Sequence, residues 1–506
     1  MTKRRKIGTL ATLGGLAAAA TLLAGLPQAR ADELADLKAN QQLLQQRVDQ
    51  LAQAAAAAHA PAAALQGSFP RSILIPGTDT SLSIGGFIDE TLDYWLSGGP
   101  ANGNQTTTIG ATGALPAVPL DIHGQTVPGY PTPGNVVPVQ IQHSRGHVFS
   151  QSPRESRLRI ETRTPSAWGE VGTVMEFDFA GTNAASGQNL LHVSDNLIPR
   201  LRLAYATIGG LLVGQAYGNT VDLAATPELL DFGGDVGDWG ANRIPQIRYT
   251  LPGPLGTTFA VSAEAPDTDI VTPSGLFEQD SNINCANYSC SGTTTLPLGG
   301  VNPAKNTAPD VTAVFEITRP WGHFRLQGVV RDLDFQDGRF ISREYVGFGG
   351  GFAGNVKPGW FGWEKDGLMF QAEMGKGMGH YINDAANAAL ATNYTAPPTT
   401  LAAARAILVK PISAFGANVG YQHWWLPNVR STVSFGIEHD DIPSQLIGPV
   451  EATAANKELV TTHANVIWSP VSFVDIGLEY MFGHRVVVAN LKGDENVLIS
   501  KFRVRF

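Results

Sequence analysis

The sequence predicts an all-β fold: a 16-stranded antiparallel transmembrane β-barrel preceded by a short N-terminal α-helical coiled coil. Three observations predict it. Alternating polar and apolar runs recur from Ser81 to the final Phe506. The connections between them are alternately short and long. A basic, then apolar, then small-residue leader marks the chain for export. A strand with one face in lipid and one in water needs a period of two. Outer-membrane barrels have short turns at one rim and long loops at the other.

Met1–Ala31 reads as a signal peptide. Lys3, Arg4, Arg5 and Lys6 precede the apolar "TLATLGGLAAAATLLAGL", and Ala29 and Ala31 frame the cut. Removing the leader takes away five basic residues and no acidic ones, so the net charge falls from −9 to −14. Such an acidic balance excludes nucleic acid as a partner. Charged residues make up 16% of the chain, against about 25% in ordinary soluble domains, while glycine is abundant at 56. No second apolar stretch is long enough for a spanning helix. An exported chain of this kind fits the outer membrane of a Gram-negative cell, with lipid around its barrel.

Residues 32–60 differ from the rest. Leu34, Leu37, Gln41, Leu44, Val48, Leu51, Ala55 and Ala58 step by three and four, a heptad pattern. So short a helix is marginal alone, which predicts association with copies of itself in the periplasm. The alternative is an amphipathic helix packed on its own protein. Residues 61–80 read as a linker and 81–506 as the barrel.

Sixteen runs satisfy the alternation. They lie near 82–96, 155–164, 169–180, 199–208, 210–218, 243–251, 256–265, 310–319, 322–333, 343–352, 365–376, 410–425, 429–439, 458–468, 472–483 and 495–506. Tight hairpins are marked by "TRTPSAWGEVGTV", "YTLPGPLGTTFAV", "EITRPWGHFRLQ" and "VIWSPVSFVDIG", each an alternating run, a Pro/Gly turn and another run. Long connections separate the hairpins, notably at 97–154, 180–198, 218–242, 265–309, 377–404 and 440–457. The terminal "SKFRVRF" is the last strand, due to pair with the first and leave no edge.

Arginines decide which face is inside. An Arg facing lipid at mid-bilayer costs about 2–4 kcal/mol, so the face carrying Arg157, Arg159 and Arg163 must line the lumen. The alternation sends Arg200, Arg202, Arg243, Arg248, Arg325 and Arg331 inward, with Lys501, Arg503 and Arg505 at the end. The inward acids are Glu176, Asp178, Glu264, Glu316, Glu373, Glu438 and Glu479. Same-face arginines about 7 Å apart repel one another, and an entering anion relieves that repulsion; rings of Arg or Lys select anions in pores. The competing reading is that these arginines pair with acids such as Glu161 and stiffen the wall. That would leave a general-diffusion or sugar-selective channel.

The connection 216–242 is acidic and apolar together, with Asp222, Glu228, Asp231, Asp235 and Asp238 beside Leu229, Leu230 and Phe232. It is expected to fold into the barrel as a constriction loop, Glu228, Asp231, Asp235 and Asp238 facing the basic wall. The two cysteines, Cys285 and Cys290 in "CANYSC", read as a local disulfide in an oxidising compartment. No metal, cofactor or catalytic motif emerges. "GGGFAG" lacks the strand-to-helix context of a dinucleotide fingerprint, and "DLDFQDG" has Arg343 where a calcium loop needs its last Glu. His463 and the serines within 431–434 are the nearest approach to a hydrolytic pair, so the chain reads as no enzyme. A cell-wall tether through the coiled coil is a third reading.

Three features together resemble one family: "FPRSILIPGTDTSLSIGGFIDETLDYW", the strand-loop-strand "LLVGQAYGNTVDLAATPELLDFGGDVGDWGANRIPQIRYT", and a coiled coil before a barrel ending in Phe. That family is the DcaP-like trimeric outer-membrane porins, and the resemblance spans nearly the whole mature chain. It implies a homotrimer, uptake of small organic anions with dicarboxylates foremost, and Phe506 as the signal read by the barrel-insertion machinery. Arg243 and Arg248 of "NRIPQIRY" match the family's motif by position. The long 97–154 connection and the cysteine-bearing loop depart from it.

Overall fold

The computed structural model describes Arg47 and residues 66–98, 146–181, 198–240, 242–273, 275–277, 285–286, 289–290, 303–382, 388–452 and 455–506. The expected signal peptide, nearly all of the coiled coil and most of the 97–154 connection lie outside them. The chain separates into Met1–Gln66 and Gly67–Phe506, and the barrel is the second unit.

Sixteen strands build the barrel. They are β1 (Ser81–Ser97), β2 (Arg157–Ser166), β3 (Gly169–Gly181), β4 (Ile198–Ile208), β5 (Leu211–Tyr217) and β6 (Arg243–Pro252). Next come β7 (Thr257–Glu264), β8 (Asp310–Arg319), β9 (Gly322–Gln336), β10 (Ser342–Val356) and β11 (Gly367–Lys376). The last five are β12 (Ser413–Leu426), β13 (Val429–Asp441), β14 (Asn456–Val471), β15 (Val474–Val487) and β16 (Lys492–Arg505). Each pairs antiparallel with its sequence neighbours. β16 closes on β1 from Phe87↔Arg505 to Ser97↔Asn496, so no edge remains. Phe506 extends the seam by exchanging backbone hydrogen bonds with Gly86.

Burial along the strands is inverted relative to a soluble protein. Ile84, Ile88, Ile247, Val330, Phe348, Val433, Leu478 and Phe502 are exposed, while Asp89, Asp178, Glu264, Thr312, Thr432 and Glu479 on alternate positions are buried. This is the pattern of a wall with lipid outside and a polar interior.

Two local departures matter. β1 pairs with β2 only from Ser81 to Phe87; above that its partner is the short strand Val148–Ser152. The break at 153–156 turns Glu155 onto Lys501, 2.6 Å away. Ile73 and Leu74, within the segment expected as linker, pair with Leu82 and Ser81. At the long-loop end, a second small sheet joins the connections after β7 and β11 through a parallel pair, Ile270↔Leu390 and Val271↔Ala391. Within it the backbone sets Cys285 directly opposite Cys290.

Candidate functional site

The arginines that the alternation sends inward lie mostly on β2 to β6, and acids are interleaved among them. Arg157 meets Glu176 at 3.6 Å, and Arg159 meets Glu161 at 3.2 Å and Glu176 at 3.5 Å. Arg163 meets Glu161 at 2.9 Å and Glu170, near the turn, at 3.6 Å. Arg200 grips Asp178 with two nitrogens, at 3.0 and 2.6 Å. Arg202 is buried and donates to Glu176 (3.0 Å), Asp178 (2.8 Å) and the Tyr217 hydroxyl (3.1 Å). Five arginines thus share four acids, Glu161, Glu170, Glu176 and Asp178. Arg243 stands over the Tyr217 ring at 5.9 Å. Arg248 is half-buried, with no hydrogen bond or ion pair among the described residues.

Arg325 has a different task. It is buried, and it donates to the carbonyls of Val221 (2.9 Å) and Asn219 (2.8 Å). Those carbonyls belong to the connection between β5 and β6, which runs across the lumen to the far wall. Asn219 N–H donates to Glu264 at 2.8 Å, and Asp222 meets His323 at 2.6 Å. Glu228 takes both arms of Arg430 (2.6 and 2.5 Å) and an N–H of Gln422 (2.8 Å). The N–H groups of Leu230 and Asp231 both donate to the Glu479 carboxylate, at 2.7 and 3.1 Å. Asp235 accepts from Ser434 at 3.0 Å, and Val236 N–H donates to Thr461 at 3.2 Å.

Two features of that far wall make room for the segment. One is a track of inward glycines. A Cβ on Gly420 would lie 2.6 Å from Pro227, one on Gly477 2.7 Å from Leu230, and one on Gly436 2.5 Å from the Val236 carbonyl. The other is an apolar patch inside the barrel, in which Trp95, Leu459, Ile467, Met481, Val497 and Ile499 pack with Leu230 and Val236. Period-two alternation fails to announce this patch because β14 and β16 carry apolar side chains on both faces there, Val466 and Trp468 outward against Ile467 inward, and Leu498 outward against Val497 and Ile499 inward. The signal available was the near-continuous apolar character of "NVIW" and "NVLIS".

The expected orientation of the loop acids needs correcting. Asp231, Asp235 and Asp238 are buried against the far wall instead of facing the basic one. Burial pushes the Asp231 carboxyl up to about 6, with Glu479 adding to the shift, and raises Asp235 as well. Glu228 stays open on its far side, and Phe232 is the loop side chain that meets the basic wall, its ring 5.7 Å from the Arg200 guanidinium. Residues that sequence reasoning did not single out include Arg430, His323, Gln422 and Asn465. They sit on strands whose contacts with the loop span from 101 to 237 residues of chain, beyond any local pattern. His463 Nδ1 lies 3.0 Å from the accepting Glu479 carboxylate, and the Ser434 hydroxyl donates to Asp235, so these two serve the loop seat.

Seating of the loop on glycine gives a direct test. Gly420→Leu should displace the 216–242 segment and raise single-channel conductance in planar bilayers. Unchanged conductance in a correctly folded variant would mean the segment does not limit flow.

A family model described as the Porin subfamily matches residues 129–393. No curated protein matches the chain. Among solved structures, the outer membrane channel DcaP of Acinetobacter baumannii aligns at TM-score 0.60 and 19% identity, covering 87% of this chain and 100% of that one. An anion-selective porin from Comamonas acidovorans aligns at TM-score 0.45 and 9% identity, over 84% of this chain and 100% of its own. OmpF of Salmonella typhi, solved with daunomycin, aligns at TM-score 0.46 and 9% identity, over 86% and 100%.

Proposed function

Because the chain belongs to the Porin subfamily and folds as an outer-membrane β-barrel channel, we propose that it passes small hydrophilic solutes by passive diffusion and prefers small organic anions, dicarboxylates above all. The observation that carries this reading is the sharing of four acids by five arginines, which leaves more guanidinium than carboxylate in the cluster. Each acid fixes the guanidinium groups in place without neutralising them all. In a narrow lumen with low-dielectric walls, such a surplus focuses field and concentrates anions. The hollow beside Arg157, Arg159, Glu161, Glu176 and Arg505 has a volume of about 250 Å³, ample for a small dicarboxylate. Partial pairing also keeps each contact weak, as throughput requires.

The same pairing favours a second reading, in which the arginines are wall struts of a general-diffusion channel. Arg248 separates the two, since replacing it strands no paired acid. Arg248→Gln should shift the reversal potential under a salt gradient towards cations and leave the unfolding midpoint unchanged. A channel that is cation-preferring from the start, and unblocked by succinate or phthalate, would sink the anion reading.

The proposal extends to the parts of the chain beyond the barrel. Residues 1–31 are the export signal, and 32–60 a periplasmic coiled coil that joins three copies. Cys285 and Cys290 are a loop staple, and Phe506 is the insertion signal. Deleting 32–60 should weaken the trimer on native gels; a trimer that survives makes the helix a tether or dispensable.

A further inference from the structure

Among the turns at the short-turn rim, the one between β10 and β11 is set apart. It runs over 357–366, whereas the turns on either side of it span 320–321 and 427–428. It carries Lys357 and Lys365, both exposed. Together with β10, β11 and β12 it encloses a hollow of about 260 Å³, bounded above by the crossing segment at Ala224, Thr226 and Glu228. Both lysines line this one hollow, so their ammonium groups can meet at a single bound molecule. The hollow belongs to the lumen side of the wall. Asn355 and Gln422 hold its roof, donating to the Ala224 carbonyl and to Glu228, each at 2.8 Å.

The acids that line the hollow already have their partners. Glu228 takes both arms of Arg430. Asp366 accepts from the Tyr421 hydroxyl at 2.5 Å and from Trp424 N–H at 3.1 Å, and it lies 2.7 Å from His423 Nδ1. The lysines differ. Among the described residues neither meets an acid within ion-pair distance, and Lys365 Nζ rests 5.4 Å from the centre of the Trp424 ring. Glu364, the other acid of the turn, lies outside the lining of the hollow and makes no ion pair among the described residues.

A pocket whose acids are neutralised from behind, and whose two ammonium groups have no counter-charge, attracts anions. The two cations repel each other, and a dianion between them relieves that repulsion where a monoanion does so only in part. The volume is close to the 250 Å³ of the hollow beside Arg157 and Arg159, so the same small solute fits both. Exposure to water keeps each contact weak, which allows release. Short turns face the periplasm in barrels of this kind. The hollow therefore opens at the exit, on the wall opposite the arginine cluster.

We propose that Lys357 and Lys365 form a second station for small dicarboxylates, at the periplasmic mouth beneath the crossing segment. The assignment rests on the anion preference proposed above, and adds a place where two charges on the solute are told from one.

Single-channel block of the full-length protein in planar bilayers tests this, with phthalate as the dianion and benzoate as its singly charged counterpart. Phthalate is expected to interrupt the wild-type current for longer than benzoate does. Lys357→Gln combined with Lys365→Gln should shorten the phthalate interruptions roughly fivefold or more, the scale of one or two exposed ion pairs, and remove the advantage over benzoate. Neither lysine has an acid partner to strand, so the reversal potential set by the arginines should persist. Lys410→Gln combined with Lys492→Gln takes two exposed lysines from the long-loop end and should leave the interruptions unchanged. Phthalate block that survives intact in the Lys357→Gln, Lys365→Gln variant overturns the station and leaves the anion preference standing. A wild-type channel that prefers cations and is not blocked by phthalate overturns both.

Discussion

Glu479→Ala is expected to raise single-channel conductance several-fold and to lower the stability of the barrel. This one carboxylate, fully buried, accepts the N–H groups of Leu230 and Asp231 and the side-chain amide of Asn465, and it meets His463 at 3.0 Å. Truncation leaves two main-chain donors and an imidazole buried without their acceptor. Breaking one partner of a buried charged network costs about 3–5 kcal/mol. The segment should then leave its seat on Gly477. Glu479→Gln retains one acceptor oxygen and should fall between the two. Conductance measured in planar bilayers would decide; an unaltered value in Glu479→Ala would show that the Glu228–Arg430 and Asp222–His323 anchors suffice.

Arg202→Ala should produce the largest loss of stability from the basic wall, again about 3–5 kcal/mol. Arg202 is 2% exposed and bridges Glu176 and Asp178 while bonding Tyr217. Its removal leaves two buried carboxylates with fewer cations around them. Arg163→Ala is the informative contrast: its side chain is 39% exposed and its partners are partly open to solvent, so its pairing is worth about 0–1 kcal/mol. Urea unfolding in lipid vesicles would compare the two. Equal midpoints would mean that water entering the lumen screens Arg202 as fully as the outer arginines.

Much of the fold was legible in the chain itself, for a local reason. A lipid-facing wall imposes a period of two on every strand, and each run carries its own signal. All sixteen barrel strands fall where alternation places them; Asp310–Arg319 matches to the residue. The largest shifts are at the ends of β10, from 352 to 356, and β15, from 483 to 487, while the later start of β2, 157 in place of 155, comes from the break that turns Glu155 towards Lys501. The candidate site was legible only in composition. Residues 216–242 announce themselves as apolar and acidic, but Glu228 reaches Arg430 and Leu230 reaches Glu479 across more than two hundred residues. No periodicity records such distances.

The sequence by itself therefore determined which side of each strand meets lipid, where the turns fall, and that arginine and acid share the inner wall. Those follow from the steep cost of charge in hydrocarbon, which acts on every residue separately. Only closure of the barrel decided which arginine meets which acid, and that the loop acids turn away from the basic wall. It also decided that glycines at Gly416, Gly420, Gly436 and Gly477 become the floor on which the crossing segment rests. Those choices depend on strands far apart in the chain being brought face to face across a lumen of fixed width.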